Sequence, residues 1–215
     1  MKNRNALTRG FVNDALRRYA VWDLGNQALY DLCSQNPRHH RIDEIAAKVW
    51  LIGRSYAAAI ERGAKTVKGE DFYVERVAPA MRSARIDRWL APLSRLKRPE
   101  AAVVVPAHRR LTELFREIST KNKRSLASKY LHFHFPKAVY IFDARASRAI
   151  RQVTRGRRTG SLSFDLCDEA YARFFLRCRA FHDELEQLTG RALTPREVDN
   201  VLLAVADRKS RDHGS

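Results

Sequence analysis

Apolar residues recur along this chain at intervals of three and four and almost never alternate strictly, so the elements they predict are helices. Phe11, Ala15, Leu16, Tyr19, Val21, Trp22, Leu29 and Leu32 mark a first helical region over residues 11–34, with Gly25 as a break inside it. Asn36-Pro37-Arg38-His39-His40 punctuates the chain. Asp43 then opens a helix through Ile45, Ala46, Val49, Trp50, Ile52, Tyr56, Ala57 and Ile60 to Gly63, a natural C-terminal cap position. Its centre is apolar nearly all round, which predicts the central buried helix and makes Arg54 an oddity within it.

Residues 64–71 read as a polar connector. Residues 72–96 carry one helix or two, with Pro79 and Pro92 as kinks or divisions. Val103-Val104-Val105 resembles a strand on its own, but Leu111, Leu114, Phe115 and Ile118 set a helical face over residues 108–118. A basic turn in the 120s leads into Arg124-Ser-Leu-Ala-Ser-Lys-Tyr-Leu-His-Phe-His-Phe-Pro136 and then Val139-Tyr-Ile-Phe-Asp-Ala-Arg145. Asp143 stands where a helix N-cap would stand, and Arg145, Arg148, Arg151 and Arg155 follow at spacings of three, three and four on one broad helical face. After a loop over residues 156–163, residues 164–189 form a long amphipathic helix stopped by Gly190. Thr194-Pro195-Arg196-Glu197 is a capping-box start for a last helix through Val198, Val201, Leu202 and Val205. Residues 207–215 read as a frayed, disordered tail after a single domain over residues 1–206. The pattern gives seven to nine helices and no convincing sheet: an all-α protein.

Charge changes the picture from fold to partner. The 215 residues carry 41 Lys and Arg against 24 Asp and Glu, a net charge of +17. Such a surface attracts polyanions, above all nucleic acid. No apolar run of membrane-spanning length and no leader-like start appears, so no membrane partner is expected. Three cysteines without C-x-x-C spacing point to a reducing compartment, with the cytoplasm as the default, and to no structural zinc site. Between Ser119 and Arg158, eleven Lys and Arg surround a single acid, Asp143, fourteen positions after Lys129. That lone carboxylate is the feature the rest must explain.

Four readings are open for it. Asp143 is a plain N-cap and Lys129 a solvated lysine; or His132, His134 and Asp143 bind a metal; or the arginine face binds nucleic acid without catalysis; or Lys129 and Asp143 act together on a nucleotide. In the last, the carboxylate stabilises positive charge developing at a sugar C1′ as the base departs. A lysine desolvated by Tyr130, Leu131 and Phe133 loses its proton more easily and attacks that carbon. The H-x-H pair has no second ligand constellation elsewhere in the chain.

Ser128-Lys129, an aromatic-rich turn and Tyr140-Ile-Phe-Asp143 at a helix start resemble the helix-hairpin-helix DNA glycosylases, and more specifically their bacterial 8-oxoguanine-glycosylase-like branch, which includes phage-defence relatives. The likeness is strong over residues 125–150 and looser over the rest. It implies a two-lobed helical fold with the site between the lobes. It also implies an enzyme that flips a damaged or modified base from double-stranded DNA and cleaves its N-glycosidic bond as a monomer, with no metal or organic cofactor. By this likeness Lys129 and Asp143 match the catalytic pair; Lys123, Arg124, Ser125, Ser128, Arg145, Arg148 and Arg151 are candidates for binding DNA; and Arg54, Trp50, Tyr56, His132 and Phe135 are candidates for probing the base or walling its pocket. The chain departs from the family pattern in two places. Asn122-Lys-Arg-Ser125 stands where the hairpin has its glycines, and the lysine-to-aspartate spacing is shorter than in the best-known members.

Overall fold

A computed structural model of the chain describes residues 7–157, 160 and 168–212, and every regular element among them is helical. Helix α1 (Arg9–Tyr19) starts at Thr8, whose hydroxyl accepts from the Phe11 N–H. A 3-10 turn (Ala20–Trp22) separates it from α2 (Asp23–Gln35). The break therefore falls ahead of Gly25, which lies inside α2. Tyr19 is buried and donates to Asp207 on the last helix, so the chain must turn there for α1 to stay on that helix while α2 leaves for α7.

Helix α3 (Ile42–Ser55) is shorter than its apolar pattern. After it, Ala57 takes a left-handed backbone with φ 50°, and the Ala58 N–H returns to the Gly53 carbonyl at 2.8 Å. The chain doubles back over the helix's own last turn at Gly53, where an added Cβ would stand 3.2 Å from the Ala59 Cα. Ala59 and Ile60 are buried from that returning segment rather than from a continued helix. Nor is α3 buried all round, since Trp50 is 46% exposed.

A π-helical turn (Phe72–Val77), capped by Asp71, runs directly into α4 (Ala78–Ser83), with Pro79 in its first turn. Then come α5 (Ile86–Leu90) and a 3-10 turn (Ala91–Arg95) around Pro92. Helix α6 (Ala101–Ser119) absorbs the three valines and Pro106, which sits in its second turn; the valines pack as part of a helical face and not as a strand. Helices α7 (Arg124–His134), α8 (Ala144–Val153) and α9 (Glu169–Thr189) follow, the last closed by Gly190 at φ 73°. The part of the predicted long helix over residues 164–167 lies outside the described residues. Helix α10 runs Pro195–Asp212, so residues 207–212 are helical and not a tail. Asp207 explains why: it holds both Tyr19 and Arg145, fixing this turn to α1 and α8.

The helices pack in two groups. Helices α1, α8, α9 and α10 form one; α2, α3, α4, α6, α7 and the π-helical turn form the other, with α6 against α9 joining them. One continuous apolar core runs through both. Its aromatic centre includes Phe115, Tyr130, Phe133, Tyr140, Tyr171 and Phe175.

Candidate active site

Eight consecutive residues of α7, Leu126 to Phe133, are buried. A lysine within such a run has no path to solvent along its own helix. Lys129 is 2% exposed; its Nζ donates to Ser125 Oγ one turn back at 2.7 Å and lies 3.7 Å from Asp143 Oδ2. Asp143 is the N-cap of α8, with extended backbone, and Oδ1 accepts from the Ala146 N–H at 2.8 Å. One oxygen of the carboxylate thus builds the helix and the other faces the amine. Ser128 sets the register between them: its Oγ accepts from the Phe142 N–H at 2.9 Å and donates to the Ser125 carbonyl at 3.0 Å, stitching α7 to the residue before Asp143.

Two further elements close on this pair. Tyr56, just past the end of α3, places its ring centroid 5.7 Å from the Lys129 Nζ, and its hydroxyl donates to Asn26 Oδ1 on α2. From α10, the Arg196 guanidinium lies 5.9 Å from the same ring and bonds Asp199 Oδ2 through Nη1 at 2.9 Å. The site is therefore a polar seam where α7, α2 and the end of α3 from one helix group meet α8 and α10 from the other.

Burial lowers the proton affinity of Lys129, and the neighbouring Arg196 adds to that; Asp143 and Asp199 act the other way. Desolvation is the largest effect, so the amine sheds its proton more readily than a surface lysine. Asp199 is buried on the inner face of α10, and its pKa is pushed up to about 6, first by burial and then by the charge of Asp143, against the pull of Arg196, Lys129 and Arg145. Four polar atoms near this cluster lack a partner among the described residues: Asn26 Nδ2, Arg196 Nε, Asp199 Oδ1 and Asn200 Oδ1. Buried polar atoms are paired in the great majority of cases, so ordered water or a ligand would complete this group.

The remaining candidates separate cleanly. Lys123 Nζ donates to the carbonyls of Ala59 and Arg62, tying down the segment after α3. Arg124 pairs with Asp168 at the start of α9. Ser125 and Ser128 are committed to Lys129 and Phe142, and Ser128 is fully buried, out of reach of a phosphate. Arg145 is held by Asp207. Arg148 and Arg151 lie on α8 with no carboxylate partner among the described residues, whereas Arg155 falls beyond the helix end. The predicted four-arginine face thus divides, one arginine turning to α10 and two to α9. Arg54 pairs with Glu61 on the surface, and Trp50 is exposed on α3. His132 is fully buried: Nδ1–H donates to the Val139 carbonyl at 2.7 Å and Nε2 accepts from the Tyr30 hydroxyl at 2.7 Å. Both nitrogens are used, so His132 is a strut of the core, and it does not share a metal-binding group with Asp143. Among the described residues no three His, Cys, Asp or Glu gather as a metal would require. Phe135 follows the last residue of α7, nearly two turns beyond Lys129. Only Tyr56 of the five pocket candidates joins Lys129 and Asp143.

Sequence spacing does not single out Arg196, Asp199, Asn200 or Asn26. The one signal for them is Asp199-Asn200 between Val198 and Val201, two polar residues in the apolar stretch of α10. Thr120, between α6 and α7, adopts φ 60° and closes the end of α6. No helix among the described residues is long and apolar enough to cross a membrane. Compared with family models, curated proteins and solved structures, the chain matches none.

Proposed function

We propose that the protein is a DNA glycosylase that cleaves the N-glycosidic bond of a damaged or modified base, in repair or in defence against foreign DNA, with Asp143 and Lys129 as its catalytic residues. The observation that carries this reading is the buried amine of Lys129, 3.7 Å from a carboxylate fixed by its own helix cap. As the C1′–N bond breaks, its electron pair leaves with the base, and the sugar takes on positive charge. The Asp143 carboxylate, oriented before the reaction, stabilises that charge at no reorganisation cost. Either water or the neutral Lys129 amine then bonds to C1′; attack by the amine leads to a Schiff base after ring opening. A base must leave the duplex stack to reach such a seam, at a cost of a few kcal/mol, and the cationic surface supplies phosphate contacts that offset it. The resemblance over residues 125–150 supports the same pairing.

A second reading, a nucleic-acid-binding protein without catalysis, is favoured by one observation: Arg148 and Arg151 on α8 have no carboxylate partner among the described residues. One assay separates the two. The protein is incubated in EDTA with DNA carrying oxidised, alkylated, uracil or phage-type modified bases, and abasic sites are cleaved with hot alkali. Breaks at one base type, lost in Asp143→Asn with DNA affinity kept, support the glycosylase. Binding without abasic product on every substrate favours the binding protein. Borohydride trapping that disappears in Lys129→Gln identifies the amine as nucleophile, and failure to trap the native protein leaves it a positioning role.

A further inference from the structure

Helices α8 and α9 present matching stripes to each other. On α8 these are Ala144, Ser147, Arg148 and Arg151; on α9 they are Ala170, Arg173, Phe174 and Arg177. Each set falls at i, i+3, i+4 and i+7, the spacing of one helix face. Between them lies a groove of about 600 Å³, floored by Phe142 and Ile150. It begins on both sides of the catalytic candidate, since Phe142 and Ala144 flank Asp143 in the chain and both line it. Its volume falls in the range typical of sites for small organic ligands, about 300–1,000 Å³.

The groove's chemistry is specific. Arg148 and Arg151 have no carboxylate partner among the described residues, and Arg177 is aimed by a bond from Nη1 to Thr154 Oγ1 at 3.0 Å, which orients its guanidinium without neutralising it. Arg173 is paired with Glu169. Ser147, only 8% exposed, is among the lining residues, and its buried hydroxyl has no partner among the described residues. The Phe142 and Phe174 rings meet edge to face at 5.1 Å and give the end near Asp143 an aromatic wall. Guanidiniums without a carboxylate among the described residues, a buried hydroxyl without a partner among them and an aromatic wall suit a phosphate with a planar ring attached to it. A site for phosphate alone needs no such volume.

We infer that the groove between α8 and α9 is a nucleotide subsite: it holds the nucleotide adjacent to the one at Lys129 and Asp143, its phosphate on Arg148, Arg151, Arg177 and Ser147, its base against Phe142. The assignment of the neighbouring nucleotide to a reacting one rests on the glycosylase reading; the subsite itself does not. A base in a groove of this depth is unstacked, so the substrate presents at least two unpaired nucleotides in a row, as a single strand or a small bubble does.

The test measures binding of a labelled 12-mer as single strand, as perfect duplex and as duplex with a two-nucleotide bubble, at several salt concentrations. Single strand and bubble are expected to bind at least tenfold more tightly than perfect duplex. Arg148→Ala/Arg151→Ala should abolish that preference and lower the salt slope by about 0.7 for each phosphate of a single strand that the variant no longer neutralises. Ser147→Val should reduce it several-fold with charge unchanged. Arg88→Ala/Arg95→Ala, which removes the same charge from the α5 region, should leave the preference intact. Equal affinity for all three forms, or equal losses in the two double variants, overturns the subsite. Asp143→Asn separates the two proposals: it should bind the single strand like the native protein whether or not base release occurs, so a failed glycosylase with an intact preference leaves the groove standing.

Discussion

Two buried polar clusters around α7 are built in opposite ways. In the histidine cluster, His132 is saturated by Val139 and Tyr30, and His39 bonds Asp87 through Nδ1 and the Tyr130 hydroxyl through Nε2, at 2.6 Å each. In the lysine cluster, Lys129 faces Asp143 at a distance too long for a hydrogen bond, and four polar atoms of Asn26, Arg196, Asp199 and Asn200 go unpaired among the described residues. The histidine cluster is polar but complete, with His134 Nε2 as its exception. The lysine cluster is polar and incomplete. A buried donor or acceptor without a partner costs about 1–3 kcal/mol, so water or a ligand is what such a cluster calls for. Completeness, rather than polarity, separates the two clusters along a single helix.

The largest expected effect breaks the incomplete cluster. Asp143→Asn keeps an N-cap residue of nearly equal quality, so unfolding stability should change by less than about 1 kcal/mol. Base release, under the glycosylase reading, should fall by about 10²–10³-fold, as when a preorganised charge-stabilising group is lost. Equal losses of activity and stability would make Asp143 a cap and nothing more. The counterpart in the complete cluster is His132→Ala, which leaves the Val139 carbonyl and Tyr30 hydroxyl without partners and opens a cavity in the core. Denaturant unfolding should show a loss of about 3 kcal/mol, with turnover per folded molecule nearly unchanged. If it lowers turnover as strongly as Asp143→Asn, the two clusters are not functionally distinct.

Borohydride trapping sharpens the role of the amine. Because burial holds Lys129 below the usual lysine value of 10.5, trapping should rise with pH and reach its plateau before an exposed lysine has deprotonated. A titration centred at or above 10.5 would show that the amine is not desolvated in the working enzyme.

What is legible in the sequence follows the range of the interactions. The Asp143 cap is a contact over three residues, and the burial of Lys129 is written in its immediate neighbours, so both are readable. The stop of α3 is not. Gly63 has the form of a helix end and the apolar pattern runs on to Ile60, but Gly53 leaves room for the chain to fold back over the last turn, so Ile60 reaches the core from the returning segment. Arg196 and Asp199 are out of reach for another reason. They meet Lys129 and Tyr56 across far more of the chain than any local periodicity covers, and the capping box around Arg196 reads as helix punctuation alone. Trp50 misleads because its neighbours in sequence are apolar, while the side chain itself stands in solvent.

The smallest effect is also the one that sets the two clusters directly against each other, because the histidines and Asp199 answer pH with opposite sign. Burial holds His39 and His132 at about 4, below the 6.5 of an unfolded histidine. Between those values the unfolded chain binds more protons than the folded one, so this part of the stability is fully present above pH 6.5 and is lost as pH falls towards 4. Asp199 behaves in the reverse manner: its pKa is raised from 3.8 to about 6, so the folded chain binds the extra proton, and its contribution is present below 3.8 and lost as pH rises through 6. On acidification the site therefore offsets part of what the histidines lose. Asp199→Asn removes the titration but keeps an oxygen for Arg196, and whatever its stability at neutral pH, it should lose stability more steeply than the native protein between pH 6.5 and 4. The gap between the two should widen by on the order of 2 kcal/mol across that window, read from denaturant midpoints at each pH. Parallel pH curves would mean that folding leaves the proton affinity of Asp199 unchanged, so that burial does not set the lysine cluster apart from water.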